Sequence, residues 1–241
     1  MTPARPATRE RDVPLTRERI VDTALRISDT EVDLRRLTVR RLAQELRVGT
    51  MTLYSYFRSS ASYRVRIALN LKGLAHDIVP VHLLKDGGEQ LKPEYRKLNP
   101  DALVPSLQLD GGDVLTQSLA IIEYLDETHP LPPLLPGDAK DRAWVRSLAL
   151  SIACDIHPID NLRVLRYLVR EMKVSEQDKD RWYRHWVEQG LASVETMLAT
   201  DSRTGRYCFG DTPGLADCLL VPQVFNAQRF KCRTGLRGVL E

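Results

Sequence analysis

Two neighbouring serines, Ser59 and Ser60, stand immediately before a segment with the apolar spacing of a helix, which begins near Ser62. The exposed N–H groups and partial positive charge of a helix N-terminus stabilise an anion, and a serine hydroxyl can donate a hydrogen bond to the same atom. Residues of these types in this order can therefore hold a thiolate. Because serine is also a common N-cap residue, the residues alone leave a purely structural role open.

The segments around the serine pair predict an α/β domain followed by an all-helical one. A β-branched and aromatic run at Thr52–Phe57 predicts a strand that leads into the serines. Further along, apolar spacing predicts strands and helices, with a hairpin turn at Asp110–Asp113. The predicted segments are a helix over 62–72, strands over 78–83, 104–109 and 114–115, a helix over 117–129, and helices from about 138 to 230.

Composition indicates a globular protein of a reducing compartment. With 43% hydrophobic and 28% charged residues, the 241-residue chain can bury a substantial core. No apolar run approaches the roughly 20 residues that span a membrane, and the Arg-rich N-terminus lacks the apolar stretch of a secretion signal. The cysteines form no C-x-x-C pair and have no histidine at metal-ligand spacing. We therefore expect free thiols, no metal site and a cytoplasmic location.

The first fifth of the chain has its own character. Residues 1–50 carry eleven arginines, no lysine and eight acidic residues, which accounts for the whole net charge of +3. Prolines and charges predict a disordered arm over residues 1–16, followed by helices from Thr16 and Thr38. Leu15–Phe57 resembles the helix-turn-helix head of TetR-type repressors, whose recognition helix enters the major groove of DNA. The alternative is a pair of amphipathic helices with solvated arginines.

Residues 52–232 carry ordered motifs that are similar to those of zeta-class glutathione transferases. They read S-S-x-S-x-R-V-R-I-A-L at 59–69, L-N-P-x-x-x-V-P-x-L at 98–107, Q-S-L-A-I-I-E-Y-L at 117–125, I-x-P-x-x-N-L-x-V-L at 156–165 and L-V-P-Q-V-x-N-A-x-R-F at 220–230. The resemblance implies a thioredoxin-like, glutathione-binding α/β domain over 52–130 and an all-α domain over 138–241. Residues 1–51 would form a short helical extension containing the partial repressor head.

The resemblance also implies an activity, the glutathione-dependent cis–trans isomerisation of maleylacetoacetate in tyrosine and phenylalanine catabolism, by a homodimer. A thiolate adds to the double bond, the resulting single bond rotates and the thiolate leaves, so glutathione acts as a cofactor. The site must then lower the pKa of a thiol from about 8.5. Maleylpyruvate isomerisation and general glutathione transfer stay open as alternatives. A DNA-binding regulator with a glutathione-sensing domain is an alternative of another class.

Individual roles follow from the resemblance. It places the activating hydroxyls at Ser59 and Ser60 and a substrate-binding guanidinium at Arg229, which the residues alone would class as a solvated charge. Pro105 is expected to be a cis-proline that exposes the backbone of Val104 to glutathione. The other implied glutathione-binding residues are Gln90, Gln117, Ser118, His157 and Asn161. For the histidine, a structural role stays open.

The chain departs from the family pattern at several points. Ala61 stands where the family usually has cysteine, so we expect activity at an altered rate, and Tyr63 replaces the common tryptophan. Gly214 occupies a helix N-cap position that is usually serine or threonine, at an expected cost of a few tenths of a kcal/mol. After Cys232 the resemblance ends, and we expect a truncated helical domain.

Residues 52–57 belong to both resemblances, although one backbone segment cannot be a strand and a recognition helix at once. A strand inside the sheet would be buried, so burial energy favours the strand. We therefore expect a head with two helices and little sequence-specific DNA binding.

Overall fold

The computed structural model describes residues 16–30, 42 and 51–234, and the chain divides into two compact units, 1–50 and 51–241. In the first unit, helix α1 spans Arg17–Thr30, close to where the apolar spacing predicted it. The Thr16 hydroxyl oxygen accepts the amide of Arg19 at 3.2 Å, as an N-cap residue does. The predicted arm before Thr16 and the second helix from Thr38 lie outside the described residues, apart from Leu42, which is helical.

A four-stranded mixed sheet organises the first part of the second unit. Its strands are β1 (Met51–Ser55), β2 (His76–Pro80), β3 (Ser106–Gln108) and β4 (Val114–Thr116), in the order β2-β1-β3-β4. Strand β1 pairs parallel with β2 and antiparallel with β3, and β3 pairs antiparallel with β4. The predicted strand is thus confirmed as an inner strand with Leu53 fully buried, although it spans Met51–Ser55 and not the predicted 52–57. A recognition helix over the same residues is excluded.

Helices complete an α/β arrangement around this sheet. Helix α2 (Ser60–Leu71) packs against α4 (Ser118–Thr128), and the short helix α3 (Pro93–Leu98) lies between β2 and β3 in the chain. The β-α-β, helix, β-β-α order is the predicted thioredoxin-like one. Strand β3 is shorter than the predicted 104–109, because Pro105 has no amide proton to donate to a neighbouring strand.

The remainder of the second unit is helical, as predicted. Its elements are α5 (Ala139–Leu150), a π-helical turn (Ser151–Ile156), a 3₁₀ turn (Pro158–Asp160), α6 (Leu162–Arg170), α7 (Glu176–Thr200) and α8 (Leu215–Arg229). Helix α8 packs against α2, and buried side chains of the sheet, α2, α4, α5, α7 and α8 form one continuous core. The α/β and helical parts therefore share one apolar core, and their junction positions the site described next. None of the helices in the described residues is long and apolar enough to cross a membrane.

Candidate active site

The site is built on the N-terminus of α2. Ser59 is its N-cap residue, with extended backbone angles (φ −80°, ψ 117°), and its Oγ accepts the amide of Ser62 at 3.2 Å. The preceding turn is closed by the Ser59 amide, which donates to the carbonyl of Tyr56 at 2.9 Å. Because the oxygen of Ser59 serves as the cap, its hydroxyl proton remains available to a ligand. Capping and ligand binding are therefore compatible at this residue.

Ser60 connects the α/β part to the helical part. The residue is 3% exposed, and its Oγ lies 3.1 Å from Nδ1 of His157, which directly follows the π-helical turn. Burial, together with the charges of Arg64 and Arg163, lowers the pKa of His157 to about 3. The imidazole is therefore neutral at physiological pH. In the tautomer with the proton on Nδ1, His157 donates to Ser60 and leaves the serine hydroxyl proton free for an anion.

A buried arginine lies behind the serine pair. Arg64, one turn into α2, is 2% exposed, and its Nη1 donates to Oγ of Ser118 at 3.3 Å. Ser118 begins α4 and is preceded by Gln117, whose positive φ of 66° turns the chain into the helix. Two helix N-termini, those of α2 and α4, are thus linked through one guanidinium. Such ends favour anionic groups.

Two further predicted residues lie on neighbouring segments. The peptide bond between Val104 and Pro105 is cis, as predicted, and both residues are buried at the start of β3. Gln90 lies in a 3₁₀ turn (Glu89–Leu91), is 6% exposed, and its Oε1 has no hydrogen-bond partner. A buried amide oxygen without a partner is uncommon, and it suits a site that pairs with a polar ligand.

The remaining predicted residues make only local contacts. Asn161 caps α6, since its Oδ1 accepts the amides of Arg163 at 3.0 Å and Val164 at 3.4 Å. Arg229, at the end of α8, is exposed, and its Nη1 donates to Oδ1 of Asn226 at 3.4 Å. In the structure, Ser60 thus contacts His157 directly, and Ser118 contacts α2 through the side chain of Arg64. The structure shows no direct contact from Arg229 or Asn161 to these side chains.

Sequence reasoning missed two residues that matter for the electrostatics of the site. Arg64 appeared only as a letter of the 59–69 motif, and nothing in the local sequence indicates that its guanidinium is buried. Arg163 is exposed, yet it lies close enough to His157 to lower the pKa of that imidazole. Its position two residues after Asn161 in the 156–165 motif was the available signal. Among the described residues, no group of three or more His, Cys, Asp or Glu side chains could hold a metal ion.

Comparison with known proteins places this geometry in a family. The family described as Glutathione S-transferase, N-terminal domain, matches residues 53–133. A probable maleylacetoacetate isomerase of Vibrio cholerae is 52% identical over 181 residues, which cover 75% of this chain and 83% of the relative. A solved maleylpyruvate isomerase, described as a bacterial zeta-class glutathione S-transferase, is 48% identical and superposes with a TM-score of 0.75, covering 78% of this chain and 89% of that one. The chain belongs to the zeta class of glutathione transferases.

A further similar structure has been solved with ligands bound. The maleylacetoacetate isomerase of Methylobacterium extorquens AM1, solved with bound malonate and glutathione, is 38% identical to this chain. Its TM-score is 0.75, and the match covers 78% of this chain and 89% of that one. The thioredoxin-like and helical architecture predicted from the sequence is therefore that of a zeta-class transferase, with the serine pair at the N-terminus of the first helix of the glutathione S-transferase fold.

Proposed function

We propose that this chain isomerises maleylacetoacetate to fumarylacetoacetate with glutathione as cofactor. The observation that carries the proposal is the contact between Ser60 and neutral His157 at the N-terminus of α2, within a zeta-class fold. Relatives named maleylacetoacetate isomerase, about half identical to this chain, support the same activity. When bound, glutathione would supply a thiolate that adds to the cis double bond and leaves after rotation.

The chain's own residues would hold and orient that cofactor. The amide groups at the start of α2 and the free hydroxyl proton of Ser59 would stabilise the sulfur as an anion. Ser60, oriented by His157, would supply a second donor. Ser118 and Gln117, at the N-terminus of α4, would bind the γ-glutamyl carboxylate.

The other end of the cofactor and the substrate would be held by separate groups. Val104, before cis-Pro105, would present its backbone to the cysteinyl part of glutathione, and the unpartnered amide oxygen of Gln90 would accept a hydrogen bond near the glycyl end. Exposed Arg163, beside His157, and exposed Arg229 would bind substrate carboxylates, since a guanidinium pairs with a carboxylate in two parallel hydrogen bonds.

The test is conversion of maleylacetoacetate in the presence and absence of glutathione, with chromatographic separation of the cis and trans acids. We expect turnover that depends on glutathione and falls by about 100-fold or more in the Ser59→Ala, Ser60→Ala double variant. Ser175→Ala is the matched control, because it removes the N-cap of α7, where Ser175 Oγ accepts the amide of Asp178 at 3.1 Å. The proposal would be wrong if the wild type turned over the substrate no faster than a folded double variant.

A second substrate is favoured by a specific finding, because the zeta-class structure at 48% identity is a maleylpyruvate isomerase. Both substrates are cis-enone acids and differ in the group that carries the second carboxylate. Comparing kcat/KM for the two acids decides between them. A higher value for maleylpyruvate would move the assignment to that substrate without changing the roles of the serines.

The assembly and the compartment are also proposals. We infer that the chain forms a homodimer and works in the cytoplasm, in line with its family resemblance and with the free thiols of Cys154, Cys208, Cys218 and Cys232. Sedimentation at micromolar concentration tests the first point. A single species with the mass of one chain would contradict it.

For the N-terminal unit we propose little sequence-specific DNA binding. Strand β1 occupies the residues that a third, recognition helix would need. Binding to short duplexes should therefore fall steeply with salt and show no sequence preference, because phosphate contacts alone would carry it. Selective binding to a palindromic duplex would favour instead a regulator with a glutathione-sensing domain.

A further inference from the structure

We propose that Arg64 is an electrostatic positioning residue that raises the fraction of bound glutathione present as thiolate, an inference that rests on the proposed glutathione site. The guanidinium lies in the protein interior, with 2% of the residue exposed. Nη1 donates to Ser118, whereas Nε and Nη2 have no hydrogen-bond partner. No carboxylate of residues 51–234 forms a salt bridge with it.

A buried cation without a counterion is unfavourable, because desolvation is not offset by a paired charge. Burial lowers the pKa of Arg64 to about 10, against a smaller opposing effect of the Cys154 thiol, and this value still leaves the guanidinium charged at neutral pH. An arginine in this state creates a positive potential in a region of low dielectric constant, where charges interact more strongly than in water. We therefore infer that a bound ligand supplies the negative counterion of Arg64.

The location of the potential points to the sulfur of glutathione. Burial first, and then the charge of Arg64, disfavour the imidazolium form of His157, and Nδ1 of that ring lies 3.1 Å from Ser60 Oγ. A potential that disfavours a cation at this point favours an anion there. The N-terminus of α2 provides amide donors and a partial positive charge but no formal charge. Neither serine carries a charge, so Arg64 adds the one formal positive charge.

The γ-glutamyl carboxylate is a competing source of negative charge, because Arg64 also contacts Ser118. The two sources can be separated with S-methylglutathione, which keeps the carboxylate and has no ionisable thiol. If Arg64 acts on the sulfur, removing its charge raises the thiol pKa of bound glutathione, and the affinity for S-methylglutathione stays within about twofold of the wild-type value. If it pairs with the carboxylate, that affinity falls.

The experiment titrates the ultraviolet absorbance of the thiolate in the glutathione complex of the full chain. In Arg64→Gln we expect the thiol pKa of bound glutathione to rise by about one unit, which leaves about tenfold less thiolate at any pH well below the two pKa values. Arg64→Lys, which retains a charge, should shift the pKa by a smaller amount. Arg203→Gln is the matched control, because the charge of Arg203 is already neutralised by Asp201 and Asp141. The thiol pKa of glutathione bound to this control variant should equal that measured in the wild type.

An unchanged thiol pKa in Arg64→Gln, with or without weaker binding of S-methylglutathione, would overturn the inference. A measurement on the wild type covers the case in which the neutral variant does not fold. The imidazole of His157 should stay neutral between about pH 5 and about pH 8 by NMR, and a titration near 6.5 would overturn the inference equally. If the wild type does not bind glutathione at all, the proposed function fails with it. Normal binding with an unchanged pKa removes only the role of Arg64.

Discussion

Gly190 lies inside the 25-residue helix α7, at a point where two physical effects oppose each other. A β-carbon at this position would come within 2.3 Å of Cγ1 and 2.6 Å of Cδ1 of Ile156. Helix propensity favours alanine over glycine by about 0.8–1 kcal/mol, whereas overpacking a core costs about 1–3 kcal/mol. Because Ile156 is 2% exposed and cannot turn into solvent, we expect overpacking to win. After the gain in propensity is subtracted, Gly190→Ala should destabilise the protein by up to about 2 kcal/mol.

Urea unfolding of four variants, which are Gly190→Ala, Ala192→Gly, Ile156→Ala and the double variant Gly190→Ala, Ile156→Ala, measures this balance. Ala192→Gly, at an exposed position of the same helix, gives the propensity term alone, an expected loss of about 1 kcal/mol. Combining Gly190→Ala with Ile156→Ala should cost less than the sum of the two single changes, because the second removes the obstructing atoms. Since Ile156 directly precedes His157, Gly190→Ala should also weaken glutathione binding. A Gly190→Ala protein that is more stable than wild type, by the amount that Ala192→Gly loses, would refute the reasoning.

Three further changes have defined outcomes. Asp217→Ala should lower the free energy of unfolding in urea by about 2–5 kcal/mol, because the buried carboxylate accepts the amides of Gly214 at 2.8 Å and Cys208 at 3.0 Å. Asp217→Asn should lower it by less, since one acceptor oxygen stays. Gly214→Ser should lower Tm instead of improving the N-cap, because its β-carbon would lie 2.9 Å from the Leu134 carbonyl oxygen; a higher Tm would contradict this. Burial raises the pKa of Asp160 from 3.8 to about 8, so between those values the folded state binds more protons than the unfolded state and stability falls as pH rises. Asp160→Asn should remove that slope and exceed wild type in Tm near pH 8, and an unchanged slope would count against it.

Local signals in the sequence predicted much of the scaffold. The β-branched and aromatic run before the serines became β1, and the hydroxyl pair became the N-cap and first residue of α2. These features depend on a few adjacent residues, so a short stretch of sequence is sufficient to predict them. The competition between strand and recognition helix over 52–57 was also decided as burial energy predicts, in favour of the inner strand.

Features that depend on distant residues could not be predicted in the same way. The contact between Ser60 and His157 joins residues 97 positions apart, and the burial of Arg64 depends on how α2, α4 and the π-helical turn pack. The turn itself, at Ser151–Ile156, lies within the range 138–230, where the sequence predicted helices without indicating a π-helical turn. Gly214 shows the same limit, because propensity favours a serine there and only the packed structure places the Leu134 carbonyl oxygen in its way.

The most direct test of the central claim is a single comparison of turnover. Wild-type protein and the Ser59→Ala, Ser60→Ala variant are incubated with maleylacetoacetate and glutathione, after thermal unfolding has shown that both are folded. The account predicts glutathione-dependent formation of the trans acid by the wild type and a loss of about 100-fold or more in the variant. Equal rates for the two proteins, or a wild-type rate that does not depend on glutathione, would contradict it.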